Sequence, residues 1–128
     1  GRGARRDGIY VLRVRKPGDT RRLAVRRRGG KLRRLGAFER RARCATVRSL
    51  SLGGPVFGPK ALRIAYRLAK PARVTLTVRH GSRVVRVLRR RAARSGRPRV
   101  AARRLRRGVY RVTLRTGRVR VSVSAVRR

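Results

Sequence analysis

The chain has 128 residues, enough for one domain that buries roughly two thirds of its unfolded surface, and a hydrophobic content of 40%, before its 14 glycines are counted, marks a folded protein. Its formal net charge is +39: four of the 42 basic residues are lysine (Lys16, Lys31, Lys60, Lys70), leaving 38 arginines against Asp7, Asp19 and Glu39. One cysteine excludes an internal disulfide, Cys44 and His80 cannot by themselves close a zinc site, and three acids weigh against paired-carboxylate catalysis.

In chain order, the Gly-Arg-rich residues 1–7 are expected to fray. Gly8 to Arg27 alternates apolar and basic residues on both sides of Pro17-Gly18-Asp19, which predicts a β-hairpin. Arg28-Gly29-Gly30-Lys31 reads as a flexible basic linker. Leu32, Leu35, Ala37 and Phe38 fit neither the helical nor the strand period, so this segment is expected to be irregular, with a short helical turn around Phe38 to Arg43. From Cys44 onward the reading is a series of short strands. Val47 to Leu52 is the first. Leu62, Ile64, Tyr66 and Leu68 form the inward edge of the next, a turn is expected at Ala69-Lys70-Pro71-Ala72, and Val74, Leu76 and Val78 follow as a separate strand. His80-Gly81-Ser82 is a tight turn into Arg83 to Leu88, where adjacent Val84 and Val85 point to a bulge. Arg89 to Pro98 reads as a polar loop and Val100 to Leu105 as a further strand. The closing hairpin, Gly108 to Ala125, turns at Thr116-Gly117 and sends Tyr110, Val112 and Leu114 to one face.

Seven short strands separated by Gly and Pro turns over about 80 residues predict an all-β, antiparallel sandwich, Ig-like or fibronectin-III-like, and nothing predicts a long helix. The Gly-x-Tyr start of the last hairpin recurs at Gly8-Ile9-Tyr10. Residues 1–30 are therefore expected to be the closing hairpin of an incomplete preceding repeat, orphaned from its own sandwich. Residues 31–45 are then a basic linker and residues 46–128 the sandwich domain.

The charge makes polyanions the expected partner class, by non-specific electrostatics. The densest basic runs supply the candidate contacts: Arg26, Arg27, Arg28 and Lys31, then Arg89, Arg90 and Arg91, then Arg103 and Arg104. Arg28-Gly29-Gly30 is a single RGG element. Tyr10, Tyr66 and Tyr110 fall in the apolar register of their strands, leaving Phe38 and Phe57 as the aromatics for base stacking. His80 sits in a turn, which favours a structural histidine over a catalytic one, and no cofactor motif is present. No apolar run reaches the length of a membrane helix, and the chain opens on glycine, as a processed or truncated piece would.

The run from Leu62 through Pro71-Ala72 to Val78, then Gly81-Ser82-Arg83-Val84-Val85-Arg86-Val87-Leu88, then Arg107-Gly108-Val109-Tyr110-Arg111-Val112-Thr113-Leu114, resembles the Ig-like domain of the flagellar hook-capping protein. That module also occurs at the C-terminal ends of secreted bacterial proteins. The resemblance covers about residues 46 to 126, and its signature positions here are Tyr66, Pro71, Gly81, Gly108 and Tyr110, with Gly8 and Tyr10 at the end of the preceding copy. Where family members often carry a Trp-Asp-Gly-like segment, this chain has Val100-Ala101-Ala102-Arg103-Arg104, which removes any acidic metal-binding feature there. The resemblance implies a non-catalytic accessory, spacer or adhesion module, without a cofactor. It would be joined to other domains of an exported or cell-surface protein, outside the cytoplasm. The alternative reading is a free-standing basic nucleic-acid-binding protein.

Overall fold

The computed structural model describes residues 7–128, whose regular structure is ten β-strands with no helix. They are β1 (Gly8–Lys16), β2 (Asp19–Arg28), β3 (Lys31–Ala42), β4 (Val47–Leu52), β5 (Val56–Phe57), β6 (Ala61–His80), β7 (Arg83–Gly96), β8 (Arg99–Ala101), β9 (Gly108–Thr116) and β10 (Val119–Arg127). The sheet runs β1-β2-β3-β4-β6-β9-β10-β5, with β7 and β8 also pairing with β6. This single hydrogen-bonded path folds into two facing layers, because β6 belongs to both. Its first half, Ala61 to Leu68, pairs with β4, β8 and the end of β7; its second half, Val74 to His80, lies between the start of β7 and β9. One layer is therefore β2-β3-β4 with the first half of β6, and the other is the start of β7, the second half of β6, β9, β10 and β5. The chain leaves β4 in the first layer, and two residues of β5 then pair parallel to β10 in the second. The two layers, joined by β6 and by the step from β4 to β5, form a β-sandwich.

Period-two patterning places the core between the layers. Leu62, Ile64, Tyr66 and Leu68, then Val74, Leu76 and Val78, are buried along β6. Leu50 and Leu52 of β4 lie beside the first of these groups in its layer, and Tyr110, Val112, Leu114, Val123 and Ala125 of β9 and β10 lie with the second, all in one core cluster. Arginines occupy the alternate, outward positions, where their charge stays in water.

Several expected elements differ. Ala69 to Ala72 does not reverse the chain; β6 runs through it for 20 residues. The pairing with β7 skips from Arg67 to Ala72 and shifts again before Val74, so the bend is taken up by irregular pairing. Pro71 has no partner in this register, and its missing N–H therefore costs no ladder hydrogen bond. Arg89 to Gly96, expected as a loop, continues β7 because that strand follows β6 around the same bend. The strand expected over Val100 to Leu105 is confined to β8, Arg99–Ala101, and the chain turns at Arg103 and Arg104. The bulge expected at Val84-Val85 is present: Arg79 pairs with Val84 and Val78 with Arg86, which leaves Val85 as the extra residue.

The largest differences lie in residues 28–42. Gly29 and Gly30 have φ of 59° and 78°, the paired positive values of a tight two-residue hairpin turn, and not those of an extended linker. Residues 31–42 form β3, which pairs with β2 along its length and with β4 at Glu39, Arg40 and Arg41. Its apolar spacing fits no single period because the register shifts twice. Arg22 pairs with Glu39 but Leu23 with Ala37, and Ala24 pairs with Gly36 but Val25 with Arg34, so Phe38 and Leu35 are inserted residues. The insertions turn Phe38 into the core, where Ala24 also lies, while Leu35 packs against it. The first hairpin is thus an extension of the first layer and not an isolated ribbon.

Candidate functional site

Tyr110 closes one end of the sandwich. Its ring stacks on His80 at 4.6 Å between centroids and meets Phe57 edge-on at 5.6 Å. Its hydroxyl donates to the Arg106 carbonyl oxygen, four residues upstream, at 2.7 Å. This is the tyrosine-corner arrangement of Ig-like sandwiches. Gly108 is needed beside it, since a Cβ there would come within 2.7 Å of His80 Nε2, at a backbone φ of 133°. Burial raises the Tyr110 phenol above its usual pKa, against the opposing pull of the Arg127 and Arg106 charges and of its hydrogen bond. Tyr66 is buried across from Gly96 and is likewise raised by burial, opposed by Arg90. Pro71 lies at the β6 bend and Gly81 in the β6–β7 turn. Tyr10, the counterpart of Tyr110 in the first hairpin, is half-buried on β1 opposite Val25.

These residues hold the fold, and the chemistry of the surface lies elsewhere. Among the described residues no three of His, Cys, Asp and Glu converge. The acids are engaged: Asp19 pairs with Arg21 at 3.4 Å, and the buried Glu39 takes Arg22 at 2.8 Å on one oxygen and Arg41 at 3.1 Å on the other. Asp7 accepts the Gly29 N–H. The other described arginines have no carboxylate partner in these pairs.

A concavity of about 1370 Å³ lies on the outer face of the first layer. Its floor is a row of cross-strand neighbours that alternates guanidinium and hydroxyl. Thr20 of β2 pairs with Arg41 of β3, Arg41 with Ser49 of β4, Ser49 with Arg67 of β6, and Arg67 with Ser95 of β7. At the far edge Arg15 of β1 pairs with Thr20 and extends the row. All six side chains are exposed or half-buried. Adjacent strands lie about 4.8 Å apart, so the row spans roughly 24 Å and its arginines recur at roughly 10 Å. Further cations line it, Lys16, Arg43 and Arg94 on the side toward Leu68 and Arg97 on the side toward Tyr66, together with Asp19, which is paired with Arg21. Arg48 is a bulged residue of β4, since Val47 pairs with Leu68 and Ser49 with Arg67; its guanidinium donates to the Arg43 carbonyl oxygen and is held at the rim. The Arg43 N–H in turn donates to the Gly18 carbonyl oxygen at 2.8 Å, which ties the first hairpin's turn to the groove.

The basic runs singled out in the sequence fall outside this groove. Arg26 and Arg28 line a smaller hollow of about 670 Å³ with Arg107, Arg127 and Arg128. Arg27 and Lys31 flank it in sequence, Arg89, Arg90 and Arg91 lie exposed along β7, and Arg103 and Arg104 occupy a turn. The structure does not gather them into one site. The groove residues do not stand out in the sequence because, apart from Arg15–Thr20 and Arg41–Ser49, neighbours in the row lie far apart along the chain. Only the register brings them together. Compared with protein-family models, with curated proteins and with solved structures, the chain matches none.

Proposed function

We propose that the protein is a non-catalytic Ig-like accessory module, a spacer or adhesion domain of an exported or cell-surface protein, whose surface binds polyanions. The observation that carries this reading is the imbalance of charge on the sandwich. The described carboxylates are taken up by Arg21, Arg22, Arg41 and a backbone N–H, while the outward positions of both layers present unneutralised arginines. Such a surface attracts any polyanion through counterion release and long-range field, with little dependence on sequence. The resemblance to the hook-capping Ig-like domain supports the extracytoplasmic, accessory part, together with the tyrosine corner at Tyr110.

Binding to heparin and to random and defined DNA duplexes, measured across a salt series, tests it. The expected result is comparable affinity for all of them, collapsing as salt rises. A preference above about a hundredfold for one sequence, persisting at high salt, would replace this reading with that of a nucleic-acid-binding protein.

A further inference from the structure

The field of the whole molecule favours polyanions in general, but the groove on the first layer has an order that a uniform basic surface lacks. Arg15, Thr20, Arg41, Ser49, Arg67 and Ser95 come from six different strands and alternate without exception. An arginine fork matches the oxygens of a phosphate in a bidentate way, and a hydroxyl beside it both donates and accepts. Such a row offers guanidinium to an anionic phosphodiester and hydroxyl to a neutral, oxygen-bearing linker, and the long arginine side chains can reach phosphates that recur at less than the roughly 10 Å between their strands. Arg41 remains available to such a chain only in part, since Glu39 shares it, whereas Arg15 and Arg67 have no carboxylate partner among the described residues.

Two features narrow the ligand. The row is one residue wide and crosses the strands, with Lys16, Arg43, Arg48 and Arg94 as further cations along one side of it, which suits a single extended chain more than a duplex with its two charged strands. Among the described residues the one aromatic in its lining, Tyr66, is buried at 4% exposure, so none of them offers a ring for a base to stack on. We infer that the groove is a binding site for an extended, base-free phosphodiester polymer of the polyol-phosphate type, lying across the strands of the first layer. This rests on the polyanion reading above and locates it.

The test compares a decamer of glycerol phosphate, a decamer of abasic deoxyribose phosphate and oligo(dT) of equal length and charge, at physiological salt. The proteins are the wild type, Arg41→Gln/Arg67→Gln, and Arg79→Gln/Arg111→Gln on the outer face of the second layer, each double variant losing two charges. Glu39 keeps Arg22 in the groove variant, and thermal melts confirm that both variants fold. The groove pair is expected to weaken both base-free decamers by tenfold or more and the control pair by less than twofold. Ser49→Ala/Ser95→Ala, which leaves the charge unchanged, is expected to cost a few-fold. Equal loss from the two arginine pairs would overturn the groove site and leave the general polyanion reading standing. Oligo(dT) binding tenfold tighter than the abasic decamer would overturn the base-free ligand in favour of single-stranded nucleic acid. Failure of the wild type to bind any of the three would remove both readings.

Discussion

At the scale of single residues, Tyr110 combines packing and polar roles that substitutions can separate. Tyr110→Phe keeps the stack on His80 and the edge contact with Phe57 but loses the hydrogen bond to Arg106, at an expected cost of about 1 kcal/mol. Tyr110→Ala empties a fully buried ring and should cost about 3–5 kcal/mol. Urea denaturation of both variants gives the two numbers, and a Phe variant as damaged as the Ala variant would mean that the corner hydrogen bond dominates. The phenols also set an alkaline limit. A phenol whose folded pKa is raised by burial contributes stability below its unfolded value, near 10, and that contribution is lost as pH rises through the folded value. Stability should therefore hold up to about pH 10 and fall above it, with a shallower fall in Tyr110→Phe; a pH series of denaturant midpoints checks this.

Among the strands, the first hairpin and β3 act together. β1 is an edge strand whose Val11, Leu12 and Val14 remain exposed, so removing residues 1–16 should cost less than about 1 kcal/mol. Removing residues 1–28 also strips β2, uncovers Phe38 and takes Arg22 from the buried Glu39, and should cost about 3 kcal/mol or more. Equal costs in melting experiments would show that β2 adds nothing to the sandwich. The same strands mark the limit of what could be read from sequence. β9 and the inward residues of β6 were legible because alternation survives in them, and β4 because Leu50 and Leu52 keep it beyond the bulge at Arg48. β3 was not, because the insertions at Leu35 and Phe38 break the period that a strand is recognised by. The β6 bend was read as a turn because Lys70-Pro71 carries turn chemistry, and only the partner strands show that the chain continues forward. The floor of the groove was illegible for a third reason, since it is a property of the register of six strands and of no segment.

For the molecule as a whole, a formal charge of +39 opposes compactness, and the described ion pairs, Arg21–Asp19, Arg22–Glu39 and Arg41–Glu39, offset little of it. Moderate salt should therefore raise the melting temperature, and a temperature that fell steadily from low to physiological salt would contradict this. The passage of β6 through both layers bears on how the protein opens. Neither layer can detach without breaking the strand that it shares with the other, so partial unfolding of one half is closed off. Amide hydrogen exchange reports this directly: the Ile64 N–H, held by the Pro98 carbonyl oxygen in the first layer, and the Leu76 N–H in the second should exchange only through global unfolding, with the same free energy and the same sensitivity to denaturant. Amides of β1 should exchange far sooner, through fraying of the edge that leaves the rest of the protein closed.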